Sequence, residues 1–206
     1  MLKGKPRNVK ARERNSIIAY NAEGKNKTES IYLNNFKTRD LKIESADGNS
    51  TDPKNMYNEL KKFCIENDIS KENDDKMYLF IDSDLLDRTI DDINKIKEDA
   101  DRFGIEIIIS VPTFEIWFLN HFRYSTKQFR NNKSVIDELE NYISNYDKGT
   151  NYFDILKDRR DEAIKNSEKL CNYHISEGNN LHSNDANPYT DVYRVVSYIK
   201  NKNNKN

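Results

Sequence analysis

The sequence predicts an α/β protein: a mainly parallel sheet of four strands, with helices on both faces and a helical carboxy-terminal subregion. Three observations point there. Short apolar runs alternate with amphipathic stretches four times between Ser16 and Ser110, which is the pattern of strand–helix crossovers in a parallel sheet. The runs are continuously apolar, as strands covered on both faces require. Beyond Pro112 no further strand-like run is read, only helical spacings.

The elements follow in order. Ser16–Tyr20 (SIIAY) is a β-branched run, and Thr28–Phe36 carries Ile31, Tyr32 and Phe36 at roughly helical spacing. Asp40–Glu44 (DLKIE) alternates like a half-buried strand. Pro53–Asn67 puts Met56, Tyr57, Leu60, Phe63 and Cys64 on one helical face, with Pro53 suited to the first turn. Lys76–Ile81 (KMYLFI) is a third strand, followed by a helix over Thr89–Phe103 that Gly104 ends. Ile105–Ser110 (IEIIIS) is the fourth strand. Phe114–Phe122, Ser134–Tyr146 and Tyr152–Tyr173 read as helices and Ser176–Ala186 as loop. Asn187-Pro188 then reads as the start of a last helix, with Asn187 as cap and Pro188 at its first position. With no repeat and no linker, one domain is expected: a basic arm over 1–14, an α/β core over 15–122, a helical subregion over 123–200 and a disordered low-complexity tail over 201–206.

Composition narrows the function classes. The 206 residues carry a formal net charge of -1 although 33% of them are charged. The surface is therefore salt-laced without global bias, but Lys3, Lys5, Arg7, Lys10, Arg12 and Arg14 concentrate positive charge before the first strand. Such an arm can follow a phosphate backbone or be an ordinary disordered tail. The two cysteines, Cys64 and Cys171, lack any Cys/His spacing, which argues against a zinc module or disulfide scaffold. No apolar run reaches membrane-spanning length and the start lacks a signal-peptide core, so a cytoplasmic protein is expected.

In open α/β sheets, ligands bind where the strand order reverses, at the carboxyl ends of the strands. Acids stand at those ends: Glu23 after the first strand, Asp47 past the second, Asp82 and Asp84 after the third, and Glu115 beyond Ser110 after the fourth. A strand order of 2-1-3-4 makes the first and third strands neighbours and brings Glu23 beside Asp82 and Asp84. Residues i and i+2 of a strand point to the same side, so the two aspartates can share one cation, and Mg²⁺ suits two carboxylates with waters and substrate phosphates. The plainer alternative is that one aspartate caps the next helix and the other is solvated. Gly24 permits close backbone approach, while Lys25 and Lys27 can neutralise phosphate. Thr28 and Glu29 read as a helix start, Thr113 as a helix cap, and Glu115 as either a macrodipole partner or a residue facing the crevice. His121 is placed within reach of the site or in the core.

Taken together, EGKNKTE at 23–29, FIDSD at 80–84, SVPTFEIWF at 110–118 and NPYTDVYRVV at 187–196 resemble the RloB-like family, in that order and over most of the chain. That family is similar to the Toprim superfamily, whose core is a small α/β domain with a glutamate after the first strand and D-x-D after the third. The resemblance implies that Glu23 acts as general acid/base or metal ligand and that Asp82 and Asp84 hold Mg²⁺ or Mn²⁺, and it makes Glu115 a family-specific acid. It further implies a nuclease effector of RNA or DNA in bacterial antiphage defence, working beside an ABC- or AAA-type ATPase and compatible with a homo-oligomer. Two positions depart from the pattern. Val111 stands where members often have Asn, and Leu85 and Leu86 follow D-x-D in place of a polar residue or His. A catalytically silent binding subunit is the alternative. A phospho-receiver is set aside, since it needs paired acids after the first strand and a lysine after a fifth strand, and neither is read here.

Overall fold

A computed structural model describes residues 15–23, 28–46 and 48–203. The basic arm, Lys25, Lys27, Asp47 and the last three residues of the tail therefore lie outside the described residues. The sheet is built from β1 (Ser16–Asn21), β2 (Leu41–Ser45), β3 (Lys76–Asp82), β4 (Ile105–Val111) and β5 (Tyr189–Thr190) in the order 2-1-3-4-5. The first four strands run parallel, as the sequence predicts, and within one or two residues of the expected ends. Helix α1 spans Thr28–Leu33 and continues as a 3₁₀ turn to Phe36. Helices α2 (Pro53–Glu66) and α3 (Asp87–Phe103) complete the crossovers. Pro53 opens α2 behind Asp52, whose carboxylate accepts from the Asn55 amide at 2.9 Å. Gly104 closes α3 at φ 99°, a left-handed turn that a side chain would strain.

Strand alternation divides the core between two layers. Ile17, Ala19, Met77, Leu79, Ile81, Ile107 and Ile109 pack against α2 and α3. Ile18, Tyr20, Tyr78, Phe80 and Ile108 face the other way, onto an aromatic layer formed by Tyr32 of α1 and by Phe114, Trp117 and Phe118. The last two residues belong to α4 (Glu115–Asn120). Tyr32 meets Phe114, Trp117 and Phe118 edge-to-face at 5.6–6.3 Å between ring centroids.

Two expectations are corrected. Among the described residues the sheet has five strands, not four, because β5 pairs antiparallel with β4 through Ser110–Thr190 and Val111–Tyr189. Asn187-Pro188 accordingly does not open a helix. The bond is cis, and the buried Asn187 amide is spent on Phe129, donating to its carbonyl at 2.7 Å and accepting from its N–H at 3.2 Å. The last helix, α8 (Val192–Asn203), begins four residues beyond the proline. The expected long helices also break up. α5 covers Asn132–Leu139, capped reciprocally by Asn131 and Ser134, and turns follow it to Tyr146. A single turn, α6 (Phe153–Leu156), precedes α7 (Arg160–Ser176).

Candidate functional site

The carboxyl ends of β1, β3 and β4 frame two adjoining clefts of about 220 Å³ each. Glu23, just past β1, lines both. Asp82, Glu29, Thr28, Thr51, Phe114, Glu115 and Lys148 line the first cleft. Asp84, Asp52, Thr51 and Asp92 line the second, together with Leu86, Arg88 and Thr89.

The two aspartates open onto different clefts because strand geometry ends at Asp82. Asp84 and Leu85 lie in the left-handed region at φ 51° and 57°, so the same-side rule for i and i+2 lapses there. Asp tolerates that conformation; for Leu it costs about 1 kcal/mol or more. The turn is pinned on both sides. The Ser83 amide donates to Ser110 O at 2.9 Å, the Asp84 amide to Pro112 O at 3.0 Å, and the Leu85 amide to Ser83 Oγ at 3.1 Å. The Asp84 carboxylate also accepts from the Asn132 side chain at the start of α5.

Burial first, and crowding of like charge after it, govern the acids of the first cleft. Burial, then Asp84 and Glu29, push Glu23 up to about 8 from 4.5, with Lys148 pulling the other way. Enclosure raises Asp82 well above the usual carboxylate range, reinforced by Glu29, Glu115 and Glu23. The Thr113 hydroxyl lies 2.8 Å from Asp82 Oδ2 and 2.6 Å from Glu115 Oε2. One hydroxyl proton cannot serve two carboxylates, so this trio holds an additional proton or takes a neighbouring cation. Thr113 is thus not the helix cap that its sequence position suggests: its hydroxyl faces the acids, and α4 starts without a side-chain cap. Glu115 is fully buried and also accepts from Tyr146 Oη at 2.9 Å and Lys148 Nζ at 3.3 Å.

His121 does not reach the clefts. It is buried, with Nδ1 2.9 Å from Trp117 O and its ring against Trp117 at 4.8 Å, and burial lowers it to about 4. Glu29, read as a helix start, does sit in the first turn of α1, and it faces the cleft as well. The sequence reading gave Lys148 and Tyr146 no place at the site, for Tyr146 stands at the end of an expected helix and Lys148 in the polar stretch after it, both far along the chain from every strand.

The donor set suits a hard divalent cation. Carboxylates of unlike strands converge, the clefts have room for ion-bound water, and an unpartnered proton demand exists at Thr113. Among the described residues no three His, Cys, Asp or Glu side chains form a ready-made metal cage. Mg²⁺ needs none, since it is held by one or two carboxylates and completes its shell with water and substrate phosphate. Among the described residues, no helix is long and apolar enough to cross a membrane. No curated protein and no solved structure matches the chain. The sequence profile of the family described as RloB-like protein matches residues 20–199, from the end of β1 into the last helix, and the chain belongs to that family.

Proposed function

We propose that the protein is a Toprim-type nuclease that hydrolyses RNA or DNA phosphodiesters with Mg²⁺ or Mn²⁺, as an effector of bacterial antiphage defence beside an ATPase partner. The observation carrying this reading is that Glu23 forms the wall between the cleft of Asp82 and the cleft of Asp84. Asp82 and Asp84 are the cation ligands, and Glu23 is a third ligand or the general acid/base. Its rise to about 8 suits a group that exchanges a proton near neutral pH. A bound divalent ion there would supply charge stabilisation and a nucleophile at neutral pH. Lys25, Lys27 and the basic arm are the residues assigned to hold the nucleic-acid backbone.

The test is cleavage of tRNA, single-stranded and plasmid substrates in Mn²⁺, with and without the ATPase. Asp82→Ala combined with Asp84→Ala is expected to lower the rate by at least about 1,000-fold while the circular dichroism spectrum stays native. Full activity in that variant would refute the reading. A second reading, a catalytically silent nucleic-acid or ATPase-binding subunit, draws on the short polar repertoire beyond the acids, with Leu85 and Leu86 directly after Asp84. Nucleic-acid binding without cleavage under every metal and partner condition would favour it.

A further inference from the structure

The proposed cation chemistry leaves three charged groups of the first cleft without a role: Glu29, Glu115 and Lys148. Lys148 is the one basic side chain that lines this cleft among the described residues, facing Glu23, Glu29, Asp82 and Glu115. It comes from the helical subregion, between α5 and α6, whereas the acids come from the sheet. The segment carrying it is fastened at several points. Lys148 O accepts from Thr28 Oγ1 at 3.3 Å, the Asp147 amide donates to Tyr152 Oη at 2.8 Å, and the Gly149 and Thr150 amides donate back to Asp147 at 3.0 and 3.1 Å.

Its partner is unusual for a surface lysine. Glu115 is 0% exposed, while the Lys148 side chain is 44% exposed and so bridges the interior and the cleft. Glu115 Oε1 takes both Tyr146 Oη and Lys148 Nζ, and Oε2 takes Thr113 Oγ1. With Tyr146 and Lys148 both on Oε1, and Oε2 turned to the Thr113 hydroxyl that Asp82 shares, Glu115 is well placed to aim an ammonium. One ammonium proton directed at Glu115 leaves two for a ligand. A phosphodiester entering among four carboxylates meets strong repulsion that cations must offset, and an ammonium is a compact charge for a phosphoryl oxygen.

We infer that Lys148 contacts a non-bridging oxygen of the scissile phosphodiester and that Glu115 is its positioning residue. This rests on the nuclease reading. In the hydrolysis a water oxygen bonds to phosphorus as the bond from phosphorus to the leaving nucleoside oxygen breaks, and a proton from that water ends on the leaving oxygen. Lys148 stabilises the charge growing on the non-bridging oxygens and takes no part in the proton transfer.

The experiment uses the full chain, a fluorescent single-stranded oligonucleotide, and three readouts: cleavage in Mn²⁺, anisotropy of binding in Ca²⁺, and calorimetry of Mn²⁺ alone. Lys148→Met is expected to lower kcat by about 100-fold and weaken oligonucleotide binding by about tenfold, with Mn²⁺ affinity unchanged or tighter. Lys148→Arg should recover part of the binding. Glu115→Gln should reproduce the defect, and adding Lys148→Met to it should cost little more, because the two residues act as a unit. Should Lys148→Met fail to fold, Lys148→Gln, which keeps a polar end, replaces it.

Cleavage and binding by Lys148→Met within about threefold of wild type would overturn the assignment. So would loss of Mn²⁺ binding in parallel with cleavage, which would place Lys148 in the support of the cation site. A wild-type chain that neither cuts nor binds the oligonucleotide sinks the nuclease reading itself. A cutting wild type beside an equally active Lys148→Met sinks only the role given to Lys148.

Discussion

Glu115 and Asp191 are both buried acids beside β4, and each accepts from a tyrosine hydroxyl and faces a cation. Their surroundings differ. Asp191 is met almost entirely by donors: Tyr189 Oη at 2.7 Å, the Ile109 amide at 3.4 Å, His182 Nε2 at 3.1 Å and Arg194 at 3.6 Å. Glu115 shares Thr113 with Asp82 and opens on a cleft that also holds Glu23 and Glu29. An acid surrounded by donors holds the fold together; acids surrounded by acids must be relieved by something from outside. The first kind is architecture and the second marks a site.

Three measurements test this contrast outside the activity assays. Asp191→Ala, which strands a buried tyrosine hydroxyl and a strand amide, should cost about 3–5 kcal/mol in urea unfolding. A loss under about 1 kcal/mol would mean that the donor network is not the anchor it looks to be. The pH dependence has the opposite origin. Glu23 keeps its proton to about 8 in the folded chain against 4.5 when free, so the folded state binds the extra proton between those values. Stability in EDTA should therefore fall as pH rises from about 4.5 to about 8. The Glu23 share, discounted for its partial exposure, is about 1–2 kcal/mol, or roughly 3–6 °C in Tm. Glu23→Gln should flatten the slope, and Mn²⁺ should restore the loss at the alkaline end. A slope identical in wild type and Glu23→Gln would show that Glu23 is not the strained acid. The smallest effect belongs to the surface: Lys133→Ala, which removes an exposed pair with Asp137 at 2.8 Å, should change stability by less than about 0.5 kcal/mol.

Much of the frame was legible in the sequence, since strands buried on both faces announce themselves as apolar runs, and Pro53 and Gly104 mark helix ends by their own backbone limits. The order 2-1-3-4 put Glu23 and Asp82 at one rim, where the clefts are found. What escaped depends on partners distant in the chain. β5 is two residues long, too short to carry any period, and exists because β4 offers it a ladder. Asn187 looked like a cap because asparagine before proline commonly is one, yet its amide serves Phe129, 58 residues away. The separation of Asp82 from Asp84 could not be read because a left-handed turn leaves little trace in non-glycine residues. Tyr146 ends a stretch whose spacing speaks only of core, Lys148 follows it in a polar one, and only the folded chain brings them to Glu115.

The short β5 has a consequence for how copies of this chain can meet. Past Thr190, Asp191 prolongs the ladder: its amide donates to Ile109 O at 2.9 Å and its carboxylate accepts from the Ile109 amide at 3.4 Å. A few residues just ahead of α8 thereby cover the carboxyl end of β4 against a foreign strand. Any visitor seeking to lengthen the sheet is steered to the opposite border, β2, where exposed Lys42 stands guard.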